Sequence, residues 1–180
     1  MKPAPLQLLQ MMFRKVSVEL DERHAPPEPP NPFTSIFVFD GVEINTECGI
    51  GELDPAHERG RLYMVTLRVL IDNQPKEEAQ QGKYSPYLID VDARGVVIVP
   101  KAAEQLAPPE DLAMVNGASL LWSAVREQVL SLTSRMLAGP VMLPTMNFHD
   151  LRKGPESSEA AEPVAKPLKG RKAKISAAKE

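Results

Sequence analysis

Apolar and polar residues alternate with a period of two along four stretches in the N-terminal part of the chain. Alternation of this kind is typical of strands that bury one face and expose the other. It predicts strands at residues 6–22, 36–48, 61–73 and 87–99. The third stretch is the clearest because one of its faces is wholly apolar, with Tyr63, Val65, Leu67, Val69 and Ile71.

Some details of these strands depend on single residues. In the first strand, the alternation places Phe13 on the same face as Lys15 and Glu19, and Val16 and Leu20 on the opposite face. In the fourth, Gly95 predicts a β-bulge. The second contains Phe37 and Phe39, bends at Asp40-Gly41 and leads into a polar loop predicted at residues 49–60.

A long helix is predicted after the strands, at residues 117–137. Leu121, Val125, Val129, Leu132 and Met136 follow one another in steps of three or four, which places them on one helical face. The turn pair Asn116-Gly117 precedes this helix, and Gly139-Pro140 ends it. A shorter helix is expected at residues 101–106, ended by Pro108-Pro109.

The order of these elements predicts an α+β fold. Because no crossover helix separates the four strands, we expect them to form an antiparallel sheet. Leu120, Ala124 and Leu137 widen the apolar stripe of the helix, which favours a second packing layer supplied by another subunit. The apolar segment at residues 141–148 is flanked and broken by Pro140 and Pro144, which predicts an extended arm lying on the core.

Composition narrows the possibilities further. The length of 180 residues suits one domain, at residues 1–151, and a tail at 152–180 that is too poor in apolar residues to order itself. The net charge of −3 gives no case for nucleic-acid binding. Cys48 is the only cysteine, which fits a reducing cytosol. Neither a signal peptide nor a membrane-spanning run is recognisable, so we expect no membrane insertion.

No catalytic or metal-binding constellation is recognisable, and no cofactor is expected. His24, His57 and His149 are isolated in the sequence, so they are poor candidates for metal ligands. Asp90 and Asp92 share a strand face and could act as acid and base. Solvent-facing charges beside a half-buried strand are the more common explanation of such a pair.

A set of apolar residues in Pro-broken segments has two interpretations. Its members are Phe33, Phe37, Phe39, Met142, Leu143, Met146 and Phe148. They could be core residues, or they could line a groove that holds unfolded polypeptide, because irregular backbone is difficult to bury completely. Methionine adapts to varied partners, which favours the groove for part of the set.

Two separate motifs resemble the bacterial protein-export chaperone family, SecB. One is LLWSAVRE, at residues 120–127, within the predicted helix; the other is LPTMNFHDL, at residues 143–151, in the arm. The resemblance implies a four-stranded antiparallel sheet followed by helices. It also implies an ATP-independent holding chaperone that keeps unfolded or precursor polypeptides competent for export. A SecB-like chaperone dedicated to one client, such as a toxin–antitoxin pair or one secretion system, is the alternative; a small enzyme is a third.

The resemblance further implies partners and assembly. It predicts a homotetramer, a dimer of dimers with the long helices between two sheets, in which we place Leu121, Val125 and Val129 at the interface. By position, Glu19, Leu88 and Asp90 match the residues with which the family docks on the secretion ATPase, SecA. Lys15 stands where the family has an acidic residue, which predicts weaker docking. Residues 152–155 interrupt the family's second helix, so the helix that covers the groove in the family would be missing, shortened or replaced by the tail.

Overall fold

The structure is a computed structural model that describes residues 6–26, 37–74 and 83–152. Within these residues, four antiparallel strands form one sheet: β1 (Gln7–Leu20), β2 (Asn45–Asp54), β3 (Gly60–Ile71) and β4 (Tyr87–Pro100). Their order across the sheet is β1-β4-β3-β2. One long helix, α1 (Pro109–Thr133), packs mainly on β3 and β4. The predicted α+β class, with an antiparallel sheet followed by a long helix and an arm, is confirmed.

The core lies between α1 and one face of the two central strands. Alternate residues of β3 and β4 are buried, as the period of two predicts: Tyr63, Val65, Leu67, Val69, Ile71, Tyr87, Ile89, Val91 and Ala93. Residues between them, such as Arg68 and Asp92, point to the opposite face of the sheet, which we call the outer face. The sheet therefore has one face covered by the helix and one polar face.

The second strand lies later in the chain than the sequence predicts. Phe39 enters a tight turn, because its carbonyl accepts a hydrogen bond from the Val42 N–H at 2.9 Å and Gly41 adopts a φ of 84°. Phe37 makes only an isolated parallel bridge to Val141. The strand continues instead through Gly49 to Asp54, so the first half of the loop predicted at residues 49–60 is wrong. The loop was predicted from the polar composition of this segment and from Pro55, although its first residues pair with β3.

The pairing of β1 with β4 differs from the prediction at Phe13 and at Gly95. The register of β1 shifts between Leu8 and Gln10 and between Phe13 and Lys15. Arg14 is an extra residue between Phe13 and Lys15, so Phe13 pairs with Ala93 and packs against the core. Its assignment to the polar face was wrong because a bulge exchanges the two faces of a strand. The predicted bulge at Gly95 is also wrong, since this residue pairs in regular register on both sides.

The helix begins earlier and ends earlier than predicted. Pro109 occupies its first turn, where a missing N–H costs no hydrogen bond, so Pro108-Pro109 starts α1 rather than ending a helix. The helix predicted at residues 101–106 is a single 3₁₀ turn, Lys101–Ala103. Gly117 lies within α1, where a Cβ atom would come within 2.8 Å of Val65 Cγ2. This glycine allows the helix to approach the sheet closely.

Candidate polypeptide-binding surface

The arm, residues 140–148, has no regular secondary structure, and side chains of α1 hydrogen-bond its backbone. The Arg126 Nε–H donates to the Leu143 carbonyl at 2.7 Å, and the Trp122 Nε1–H donates to the Pro144 carbonyl at 2.9 Å. Prolines in the arm remove backbone donors and prevent ladder pairing. Side-chain donors therefore satisfy carbonyls that no sheet or helix reaches.

The first residues of the arm are fixed by two further hydroxyl groups. Thr133, fully buried at the end of α1, accepts the Val141 N–H at 3.0 Å and donates to the Val129 carbonyl at 2.8 Å. The Tyr87 hydroxyl of β4 donates to the Gly139 carbonyl at 2.9 Å. Gly139 itself has a φ of 76°, which turns the chain from the helix into the arm. The course of the arm is thus set from both the helix and the sheet.

The two motifs of the SecB resemblance meet in space. Trp122 packs edge-to-face against Phe148, with the ring centroids 6.0 Å apart. Together with the bonds from Trp122 and Arg126 to the arm, this contact joins the motif at residues 120–127 to the one at 143–151. The two sequence motifs that resemble SecB therefore form one packed unit in this structure. Sequence reasoning missed the support that Trp122, Thr133 and Tyr87 lend to the arm, because none of their hydrogen bonds follows a helical or strand repeat.

Part of the apolar set predicted for a groove lies in the core. Phe39, Leu143 and Phe148 are 5%, 0% and 6% exposed. Their burial favours the core interpretation, because a side chain without accessible surface cannot contact a client in this conformation. Phe33 lies outside the described residues. A groove role for these residues stays a prediction.

Other members of the set remain accessible. Met142 is 41% exposed, and Phe37 and Met146 are half-buried. Phe37 packs edge-to-face on Phe39 at 5.0 Å, with the Lys83 Nζ 4.5 Å from its ring centroid. Leu137, which precedes the arm, is 68% exposed.

A second apolar surface was missed from the sequence. Leu6, Val99, Ala103, Leu106, Leu112 and Leu120 line a cleft of about 230 Å3 between the 3₁₀ turn and α1. Leu106 is 70% exposed and Leu120 is 40% exposed. No periodic pattern marks this cleft, because its residues come from four separate segments.

The residues predicted to dock on SecA come together on the outer face. Glu19 pairs with Leu88, and Ser17, which donates to the Glu19 carboxylate at 2.9 Å, pairs with Asp90. Asp90 accepts hydrogen bonds from Arg68 at 3.0 Å and from Lys15 at 2.6 Å. These bonds, that from Arg68 above all, lower the pKa of Asp90 to about 2. Its charge is therefore balanced within the chain, and docking on SecA stays a prediction.

The predicted assembly residues lie in the core of the single chain. Leu121, Val125 and Val129 are each 0% exposed, on the face of α1 that packs on its own sheet. Their burial is unfavourable for contact with a second subunit, and an interface role for them stays a prediction. The surface of α1 that remains accessible carries Leu120 and Leu132, which are 40% and 36% exposed.

The described residues contain no cluster of three or more His, Cys, Asp or Glu side chains that could hold a metal ion. Asp92 lies 3.7 Å from Arg14, and Asp90 is held ionised by its own basic partners, which is unfavourable for an acid–base pair.

Across residues 6–26, 37–74 and 83–152, no helix is long and apolar enough to cross a membrane.

Comparison with protein-family models and with curated proteins finds no match. Among solved structures, the chain is similar to one described as the Mycobacterium tuberculosis Rv1957 SecB-like chaperone in complex with a ChAD peptide from the Rv1956 HigA1 antitoxin. The two are 18% identical, the match covers 79% of this chain and 91% of that chain, and the TM-score is 0.42.

Proposed function

We propose that this chain is a SecB-like holding chaperone that binds unfolded or precursor polypeptides without ATP and keeps them competent for export. The observation that carries the proposal is the exposure of large apolar side chains on irregular backbone around Pro140. Leu137 is 68% exposed and Met142 is 41% exposed beside an arm that four side chains hold in place. The resemblance of the same arm to SecB supports this function.

Burial of client side chains supplies the affinity. Each Å2 of apolar surface removed from water contributes about 25 cal/mol, whatever the client sequence. Leucine and methionine impose few geometric demands, so they suit clients that differ in sequence. Because the arm is already ordered, binding loses little conformational entropy on the chaperone side.

Substitution of an exposed arm residue tests the proposal without disturbing the fold. Met142→Ser should lower the affinity for a reduced, carboxymethylated polypeptide by about fivefold, the equivalent of losing roughly 1 kcal/mol of apolar burial. The matched control is Met12→Ser, since Met12 is 43% exposed but lies on β1, paired with Arg94 of the outer face. Fluorescence anisotropy measures the affinities. Equal affinities of wild type and both variants would refute the role of the arm.

A narrower function is the alternative: a SecB-like chaperone dedicated to one client, such as an antitoxin or the substrate of one secretion system. The two apolar surfaces, at the arm and at the cleft, suit either version. Binding of several unrelated unfolded polypeptides with similar affinity supports the general holdase. Tight binding of a single client, with the others bound at least about tenfold more weakly, supports the dedicated one.

The assembly and the export partner belong to the same proposal. A homotetramer is expected from the resemblance, with accessible Leu120 and Leu132 of α1 as candidate contacts.

Docking on SecA is expected to be weak because the positive charge of Lys15 balances the negative charge of Asp90. Lys15→Asp should strengthen docking at low salt and less at high salt, since charges are screened over roughly 8–10 Å. If this substitution leaves binding to SecA unchanged, the outer face is not the contact.

A further inference from the structure

The outer face of the sheet contains a pocket of about 680 Å3, and the proposed function uses only one of its lining residues, Lys15, in docking on SecA. Its charged lining consists of Arg14, Lys15, Arg68, Arg94, Glu47 and Asp92. The pocket lies across β1, β4, β3 and β2, on the side of the sheet opposite α1. It is therefore separate from the apolar surfaces proposed for clients.

Most of these charges are paired with one another. Lys15 and Arg68 both bind Asp90, at 2.6 and 3.0 Å, and Arg68 lies 3.9 Å from Glu47. Arg14 lies 3.7 Å from Asp92. Four basic side chains thus face three carboxylates, which leaves one positive charge without a counterpart.

Arg94 carries the charge that is left over. Its Nε is buried without a hydrogen-bond partner, and no ion pair connects this side chain to the part of the chain that the structure describes. A buried guanidinium donor without an acceptor destabilises a fold, so such a group is unusual in a purely structural position. A carboxylate entering the pocket would place a negative charge beside a guanidinium that has no ion pair within the described residues.

Gly49 of β2 borders this part of the pocket. It pairs with Thr66, which in turn pairs with Arg94, so these residues form one row across the sheet. A Cβ atom at Gly49 would lie 2.8 Å from the Thr66 Oγ1. The guanidinium therefore sits beside a strand surface that leaves room for a ligand.

We propose that this pocket binds an acidic segment of a partner polypeptide, with one Asp or Glu carboxylate of the partner on Arg94. A carboxylate matches the single surplus charge and the planar guanidinium. A polyanion such as nucleic acid fits poorly, because every backbone unit of it carries a phosphate that Glu47, Asp90 and Asp92 would repel, whereas a peptide has neutral residues between its carboxylates and can place a single one on Arg94.

Arg94→Gln and Arg94→Met test the proposal, with Arg135→Gln as the control. Arg135 is exposed just beyond α1, away from the outer face. The probe is a short dye-labelled peptide of alternating glutamate and alanine, titrated at low salt. Wild type and Arg135→Gln should bind it equally, and both Arg94 variants should bind it at least about tenfold more weakly, the loss expected for one charged hydrogen bond.

Stability provides a second readout. Arg94→Met removes an unsatisfied buried donor, so its thermal unfolding temperature should equal or exceed that of wild type while peptide binding falls. A lower unfolding temperature would make Arg94 a structural residue and would overturn the proposal. So would an absence of peptide binding by wild type, or tighter binding of single-stranded DNA than of the peptide. Affinity for an unfolded client peptide that contains no acidic group should be unchanged in the Arg94 variants, so this proposal and the chaperone function fail independently.

Discussion

Thr133→Val tests whether the arm is anchored as the structure indicates. The substitution keeps the shape of a β-branched side chain and removes the acceptor for the Val141 N–H, which lies 3.0 Å away in the core. The lost donation to Val129 matters less, since that carbonyl also belongs to the helix ladder. An unsatisfied buried N–H costs about 1–3 kcal/mol. For a chain of this size that corresponds to a fall of roughly 2–12 °C in unfolding temperature.

Thermal unfolding followed by circular dichroism measures this change, and Thr145→Val is the matched control. Thr145 lies in the same arm but is exposed, so the same change of atoms should alter stability by less than about 0.5 kcal/mol. Equal unfolding temperatures for Thr133→Val and wild type would show that the arm does not depend on Thr133.

Three further predictions concern packing, assembly and charge. Gly117→Ala should be destabilising in urea unfolding, because about 1–3 kcal/mol of overpacking against Val65 exceeds a helix-propensity gain of at most about 1 kcal/mol. Leu121→Asp should unfold the chain, whereas Leu120→Asp should keep the fold and lower the mass seen by light scattering; a folded Leu121→Asp would contradict the assigned burial. Asp90 has its pKa lowered to about 2, below the unfolded value of about 3.9. Its stabilisation is therefore present above about pH 4 and is lost as the pH falls towards 2. Asp90→Asn should lower the urea midpoint more at pH 7 than at pH 2; an equal effect at both values would contradict this linkage.

The central sheet could be predicted from the sequence because burial follows a period of two there. β3 and β4 pack one face on α1, so nearly every second residue is apolar, and Tyr63 to Ile71 follow that pattern without interruption. The edge strands could not be predicted as well. The bulge at Arg14 depends on pairing with β4, and the later position of β2 depends on glycines that pair with β3.

The arm shows why only part of the candidate site was predictable. Its prolines predict irregular backbone, and Pro140 and Pro144 do lie in such a segment. The apolar character of Met142 and Leu143 is the same in the sequence, yet one is exposed and the other fully buried. What separates them is the direction in which each side chain leaves an anchored backbone, and that direction is set by bonds from Arg126, Trp122 and Thr133 across the fold.

Suppression of aggregation tests the central claim most directly. A chemically unfolded model protein is diluted into buffer with increasing amounts of this chain, with and without ATP, and light scattering records aggregation. We predict that the chain suppresses scattering in proportion to its concentration, equally in the presence and absence of ATP. Unchanged scattering for several unrelated unfolded proteins would contradict the function of a general holding chaperone.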